Sequence, residues 1–287
     1  MPDTRSRHVP RSRLHILPTL LAGVLALTTL SAASTAASAF SARTSNHAQT
    51  KPTVVLVHGA WADSASWSGV VERLQDDGYP VDVFPTPLRS LAGDSDYLRA
   101  FLAAITGPIV LVGHSYGGAI VTDAATGNAN VKALVYLDAF APDEGENVLQ
   151  LAGATSALAN PDPTKVFSFV PNTLPPTAGT DLYVLQSLFP STFANDLPAR
   201  EGAVLAATQR PVTFGALNEV STTPAWKTIP SWYEIGTIDK VIPPSQQLTM
   251  AQRAGAHITM IKTSHLPMIS QPKAVENLIE TAAAATI

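Results

Sequence analysis

The first stretch with the makings of chemistry is Ile109–Gly118, "IVLVGHSYGG". A run of β-branched and aliphatic residues stops at Gly113-His114-Ser115-Tyr116-Gly117, which matches G-x-S-x-G. The bare pattern is weak, because glycine and serine are common. An expected buried strand before it and helix after it give it force. Small residues flank the serine because the chain must turn sharply there, with the serine backbone held in a strained conformation. Such a corner lifts Oγ out at the mouth of a sheet. It also aims the next N–H, from Tyr116, and the helix N-terminus at an incoming carbonyl oxygen. The chemistry would be nucleophilic attack on an acyl carbon; the bland alternative is an ordinary tight turn with a capping serine.

A hydroxyl attacks only when a base takes its proton. In a strand–corner–helix site the partners follow in the order serine, acid, histidine. Past Ser115 only His257 and His265 remain. His257 lies inside the strand-like "AHITMIK" and reads as a partly exposed strand residue. His265 follows that strand in the loop "TSHLPM", at the same edge as Ser115, and is the expected base. The acid should also follow a strand at that edge. "WYEIGTIDKVIPP" offers Asp239, which is favoured; its plain alternative is a solvated aspartate paired with Lys240. The rival is Asp138 in "VYLDAF", at the end of the fourth strand. A second oxyanion donor is expected from the loop after the first strand, where "His58-Gly59-Ala60-Trp61" presents the Ala60 N–H beside that of Tyr116. His58 and His114 read as loop-shaping residues. The carboxylates at Asp76–Asp77 and Asp143–Glu146 read as solvated turns. No metal site, phosphate loop or other cofactor site is expected.

The elements that must position these groups alternate. Apolar runs at 53–59, 79–87, 109–113, 131–140, 229–236 and 257–262 read as strands. Segments 66–78, 95–107, 116–127, 244–255 and 272–284 have helical spacing; in 95–107 the apolar face is Tyr97, Leu98, Phe101, Leu102 and Ile105. The last two helices begin next to prolines, where a missing N–H costs nothing. Alternating strands and helices predict an α/β fold with a mostly parallel, doubly wound sheet. Residues 141–228 break the pattern and read as an inserted, mainly helical cap over the C-terminal edge of the sheet. "LYVLQSLF" and "REGAVLAATQ" within it have helical spacing.

Composition narrows the partners. The chain has 287 residues and 46% hydrophobic content, enough for one large α/β domain with an insertion. Net charge is −4 and there are no cysteines, so disulfides and thiolate chemistry are excluded. No basic cluster lies beyond the extreme N-terminus, which argues against nucleic acid. That N-terminus reads as an export signal. Arg5, Arg7, Arg11 and Arg13 precede the 15-residue apolar run Ile16–Leu30, and small residues at Ala37–Ala39 offer a cleavage site. The run is short for a membrane span and contains Pro18. The expected organisation is a signal peptide at 1–39, a flexible lead at 40–52 and one domain at 53–287. Removing residues 1–39 takes away four arginines and one aspartate, so −4 becomes −7. The expectation is a secreted protein with no stable membrane association.

From Thr53 to about Ile279 the chain resembles the α/β-hydrolases, in the branch that holds plant methyl-ester esterases and hydroxynitrile lyases. It is similar also to small bacterial serine hydrolases of this fold. "VVLVHGAW", "VLVGHSYGG", "VYLDAFAPD", "GTIDKVIPP" and "SHLPMISQP" carry the likeness, in that order. The resemblance implies Ser115, Asp239 and His265 as a triad, Ala60 and Tyr116 as the oxyanion hole, and a cap over 141–228. Two positions depart. The lyases of this branch have a threonine at the position of Gly59 and a lysine after the histidine, where this chain has Leu266. Ester hydrolysis is therefore expected, on a small or medium uncharged ester. Trp61, Phe167, Phe169, Leu174, Tyr183, Leu188 and Phe193 are the expected apolar surface for it. Lactonase activity is a sub-case; a lyase, a perhydrolase and a non-catalytic binding protein are the rivals.

Overall fold

The computed structural model describes residues 51–286. The expected signal segment and most of the lead that follows it lie outside the described residues. The main sheet has six strands, all parallel, in the order β2-β1-β3-β4-β8-β9. These are β1 (Thr53–Val57), β2 (Val81–Phe84), β3 (Ile109–His114), β4 (Val131–Leu137), β8 (Ser231–Gly236) and β9 (His257–Ile261). Every residue of β3 and β8 is buried, as near-continuous apolar runs require when helices cover both faces of a sheet.

The covering helices are Ser68–Asp76, Leu91–Ala103, Tyr116–Ala124, Pro244–Arg253 and Pro272–Ala284. The second starts four residues before the segment expected, because Ser90 accepts the Gly93 N–H and caps an earlier first turn. Tyr97, read as part of its buried stripe, is 48% exposed, though its ring leans on Phe84.

Between β4 and β8 the chain leaves the sheet. It forms helices Val148–Ala152, Phe189–Thr192, Ala199–Thr208 and Phe214–Asn218, together with a three-stranded antiparallel sheet of β5 (Phe167–Val170), β6 (Asp181–Val184) and β7 (Val212–Thr213). The small sheet corrects the reading of "LYVLQSLF" as helical. Leu182 and Val184 are buried while Asp181 and Tyr183 are half-exposed, an alternation of period two. The helix starts only at Phe189, after a turn in which the Leu188 N–H donates to the Leu185 carbonyl. The insert is tied down at its edges. Trp61 donates its indole N–H to the Leu182 carbonyl at 2.8 Å, and Arg89 pairs with Asp181 at 2.6 Å. Among the described residues no helix is long and apolar enough to cross a membrane.

Candidate active site

Ser115 stands between the end of β3 and the helix Tyr116–Ala124, with φ 52°. That left-handed conformation is the strain the motif implies. The corner is locked from behind: the Ser115 carbonyl accepts the N–H of Gly118 at 2.9 Å and of Phe140 at 3.1 Å. Glycine is required at Gly117, where a Cβ would lie 2.5 Å from the Val57 carbonyl oxygen. Gly59 is as constrained, since a Cβ there would lie 2.6 Å from the Ser115 Cβ and 2.8 Å from the His114 carbonyl oxygen.

His265 comes from the loop after β9 and Asp239 from the loop after β8. The structure brings both to Ser115. His265 Nε2 is 2.9 Å from Ser115 Oγ, and His265 Nδ1 is 2.8 Å from Asp239 Oδ2. Asp239 Oδ1 accepts the N–H groups of Val241 at 2.7 Å and Ile242 at 3.2 Å, while Oδ2 also accepts the Gln247 amide at 2.8 Å. These donors stabilise the carboxylate against the burial that pushes its proton affinity up. Burial pushes His265 below the usual imidazole range, so its ring is neutral. With Nδ1–H given to Asp239, Nε2 is free to accept the Ser115 hydroxyl. The ring lies between His114, 4.9 Å away, and Phe193, 5.3 Å away and edge-on. His114 Nε2 meets the His265 carbonyl at 2.7 Å, so His114 shapes the loop rather than reaching Ser115. His58 turns back on the Gly59 carbonyl at 3.0 Å, and burial lowers it to about 4.

The two competing residues lie elsewhere. Asp138 is fully buried at the end of β4, and its side chain accepts the Gly236 N–H rather than one from a histidine. His257 is exposed at the start of β9, its ring 5.0 Å from Trp232.

Ala60 and Ser115 open on one cleft, with Tyr116 beside them. Among the described residues neither the Ala60 nor the Tyr116 N–H has a hydrogen-bond partner. The wall of the cleft is apolar: Trp61, Phe140, Val148, Leu149, Leu158, Phe167, Leu217 and Val241, with no charged side chain. Of the apolar residues expected there, Trp61 and Phe167 line it, stacked 5.7 Å apart. Phe193 packs behind them against Trp61. Leu174, in the loop after β5, is 53% exposed and does not line the cleft. Phe140, Val148, Leu149 and Leu158 were missed; their run from the end of β4 carries no strand or long helical period by which to find them. Gln247 was missed too. Its one signal is the Pro243–Pro244 helix start, which turns the first helical turn toward Asp239. Three carboxylates, Asp77, Glu276 and Glu280, also come together, but none lines the cleft, and Arg73 and Lys273 pair with Glu276.

Residues 54–278 match the model of the alpha/beta hydrolase family. A carbendazim hydrolyzing esterase of Nocardioides sp. (strain SG-4G) is 33% identical over 111 residues, which are 34% of this chain and 46% of that esterase. An alpha/beta hydrolase, nvfD, of Aspergillus novofumigatus is 26% identical over 83% of this chain and 98% of its own length. Among solved structures, an extracellular alpha/beta-hydrolase from a Paenibacillus species superposes with a TM-score of 0.68 at 21% identity, covering 80% of this chain and 98% of that one.

Proposed function

The chain belongs to the alpha/beta hydrolase family, and within it we propose a secreted carboxylic-ester hydrolase that works through Ser115, His265 and Asp239. The observation that carries this reading is the unbroken path from Ser115 Oγ to His265 and on to Asp239, with Ser115 at an apolar cleft beside the two free N–H groups of Ala60 and Tyr116. The ester carbonyl carbon sits against Ser115 Oγ. Oγ attacks as His265 Nε2 takes its proton, and the Ala60 and Tyr116 N–H groups hold the oxygen that becomes negative. His265 returns the proton to the departing alcohol, leaving an acyl-serine. Water then attacks the acyl carbon, gives its proton to His265, and frees the acid. Asp239 holds the Nδ1–H tautomer throughout and stabilises the imidazolium that forms.

An uncharged ester with an apolar acyl or alcohol part fits the cleft, because its wall has no group to pair with a charge. Lactones are ring esters and enter the same scheme. The esterase relative supports hydrolysis over the rivals. Lyase chemistry is disfavoured because a threonine at Gly59 would collide with the Ser115 corner, and because the residue after His265 is the buried Leu266, not a lysine. A panel of p-nitrophenyl esters and lactones graded by chain length tests the substrate class. Labelling of Ser115 by a fluorophosphonate probe separates a hydrolase from a non-catalytic binding protein. The basic and apolar N-terminal pattern supports secretion, and N-terminal sequencing of culture supernatant should find a start near Phe40. An intact N-terminus found only in the membrane fraction would refute it.

A further inference from the structure

Asp138 has no part in the scheme above, yet its surroundings are unusual. Its backbone lies at φ 41°, in the left-handed region that Asp and Asn tolerate better than other non-glycine residues. Its side chain is fully buried. Oδ1 accepts the Gly236 N–H at 2.5 Å, which ties the end of β4 to the end of β8, at the start of the loop that carries Asp239. Gly236 is open to it: a Cβ there would lie 2.6 Å from Asp138 Oδ2.

Oδ2 has no hydrogen-bond partner, and neither do Glu234 Oε2 and Gln247 Oε1. The groups that face Asp138 are Tyr233 and Glu234 from β8, Asp239 and Gln247 from the acid loop and the helix after it, Thr263 from the loop after β9, and Asp196 from the insert. No lysine or arginine stands among them. Carboxylates sharing a dry site cannot all ionise. Asp239, with four donors on its two oxygens, holds the charge. Gln247 is the one side-chain donor set against the Asp138 carboxyl, and a proton on Asp138 would relieve the repulsion that remains.

We propose that Asp138 is a positioning residue that stands in the folded protein as a neutral carboxylic acid, holding Gly236 and with it the loop that presents Asp239 to His265. The role rests on the reading of Ser115, His265 and Asp239 given above. Burial and the Asp239 charge both push the Asp138 carboxyl well above its ordinary range.

Asparagine is the discriminating substitution, since it tolerates the same backbone and copies the shape and donor of a neutral acid. In the unfolded chain Asp138 ionises near pH 4, while the folded chain keeps its proton. Wild type therefore loses stability relative to Asp138→Asn as the pH rises above that point. Thermal melting should show the Tm of Asp138→Asn rising against wild type by roughly 5 °C or more between pH 4 and pH 8. A difference that stays constant, or moves the other way, overturns the proposal. At neutral pH, Asp138→Asn should keep kcat/KM within about threefold, while Asp138→Ala loses about 10²-fold in kcat with KM little changed. An equal loss in both variants also overturns it. If Asp138→Ala does not fold, the Asp138→Asn melts decide alone. They use no substrate, so their failure leaves the hydrolase reading standing; turnover by Ser115→Ala would be the separate sign that that reading is wrong.

Discussion

The C-terminal edge of the sheet and the insert above it meet at Ser115, yet they are built by different rules. At the edge every group follows a strand: Ala60 after β1, Ser115 after β3, Asp239 after β8 and His265 after β9. A parallel ladder fixes those loops relative to one another, so the reacting atoms inherit the rigidity of a buried sheet. The insert has no such frame. It is a patchwork of short helices and a small antiparallel sheet, pinned by scattered bonds such as Trp61 to Leu182 and Ser264 to Asp196. Most of the cleft wall comes from it, including Val148, Leu149, Leu158, Phe167 and Leu217. The difference separates two jobs. Changes at the edge should alter the rate for every ester, and changes in the insert should alter which ester is preferred.

The largest expected effect is at the edge. Ser115→Ala removes the proposed nucleophile and should lower kcat by about 10⁴-fold or more for short and long esters alike. The variant should melt as wild type does, because only a hydroxyl is lost. Retained turnover with background excluded would sink the mechanism. Asp239→Asn comes next. The amide leaves the wrong imidazole tautomer facing Ser115, and the handicap in a serine protease with the same change is ~10⁴-fold. Again the loss should not depend on chain length. If Asp138→Asn were inactive and Asp239→Asn nearly normal, the acid would move to β4.

The same contrast explains what could be read from the residues. Each edge position announces itself locally, in a strand followed by glycine, a small residue or a polar loop. "VLVGHSYGG" and "SHLPMISQP" place Ser115 and His265 at one edge from strand order alone. The choice between Asp239 and Asp138 was less legible. Both end buried strands, and only geometry shows which carboxylate has donors on both oxygens and which has one bare oxygen. The insert was harder still. "LYVLQSLF" satisfies a helical spacing as well as a strand alternation, and its pairing with β5 and β7 decided between them. Leu174 looked like part of the apolar surface for the ester because it is apolar, but hydrophobic character says nothing of direction in a loop.

A smaller effect should appear in the insert. Ala152 lines the cleft on the helix Val148–Ala152. Ala152→Phe would fill part of the space without touching Ser115. The ratio of kcat/KM for an octanoyl ester to that for an acetyl ester should fall by about tenfold, the scale of one or two methylenes in an apolar pocket. An equal loss on both esters would break the division of labour, because it would mean that this wall also positions the reacting groups.

The smallest effect expected lies where the two regions touch. Phe193 belongs to the insert, but its ring stands edge-on to His265 at 5.3 Å. His265 must be neutral to take the Ser115 proton, and burial is what lowers it below the usual 6.5. Wild-type kcat/KM should therefore hold as the pH falls through 6.5 and decline only below it, as His265 gains a proton. Phe193→Ala admits water beside the ring and lowers the cost of the charged form. The acid limb should then move up toward 6.5, by roughly half to one pH unit. Ser115→Thr or a change in ester would not produce that shift, since neither alters the hydration of the imidazole. An unchanged acid limb in Phe193→Ala would mean that the sheet edge alone, through His114 and the buried loop after β9, keeps His265 dry. The insert would then have no hand in the chemistry, and the contrast between the two regions would be sharper than drawn.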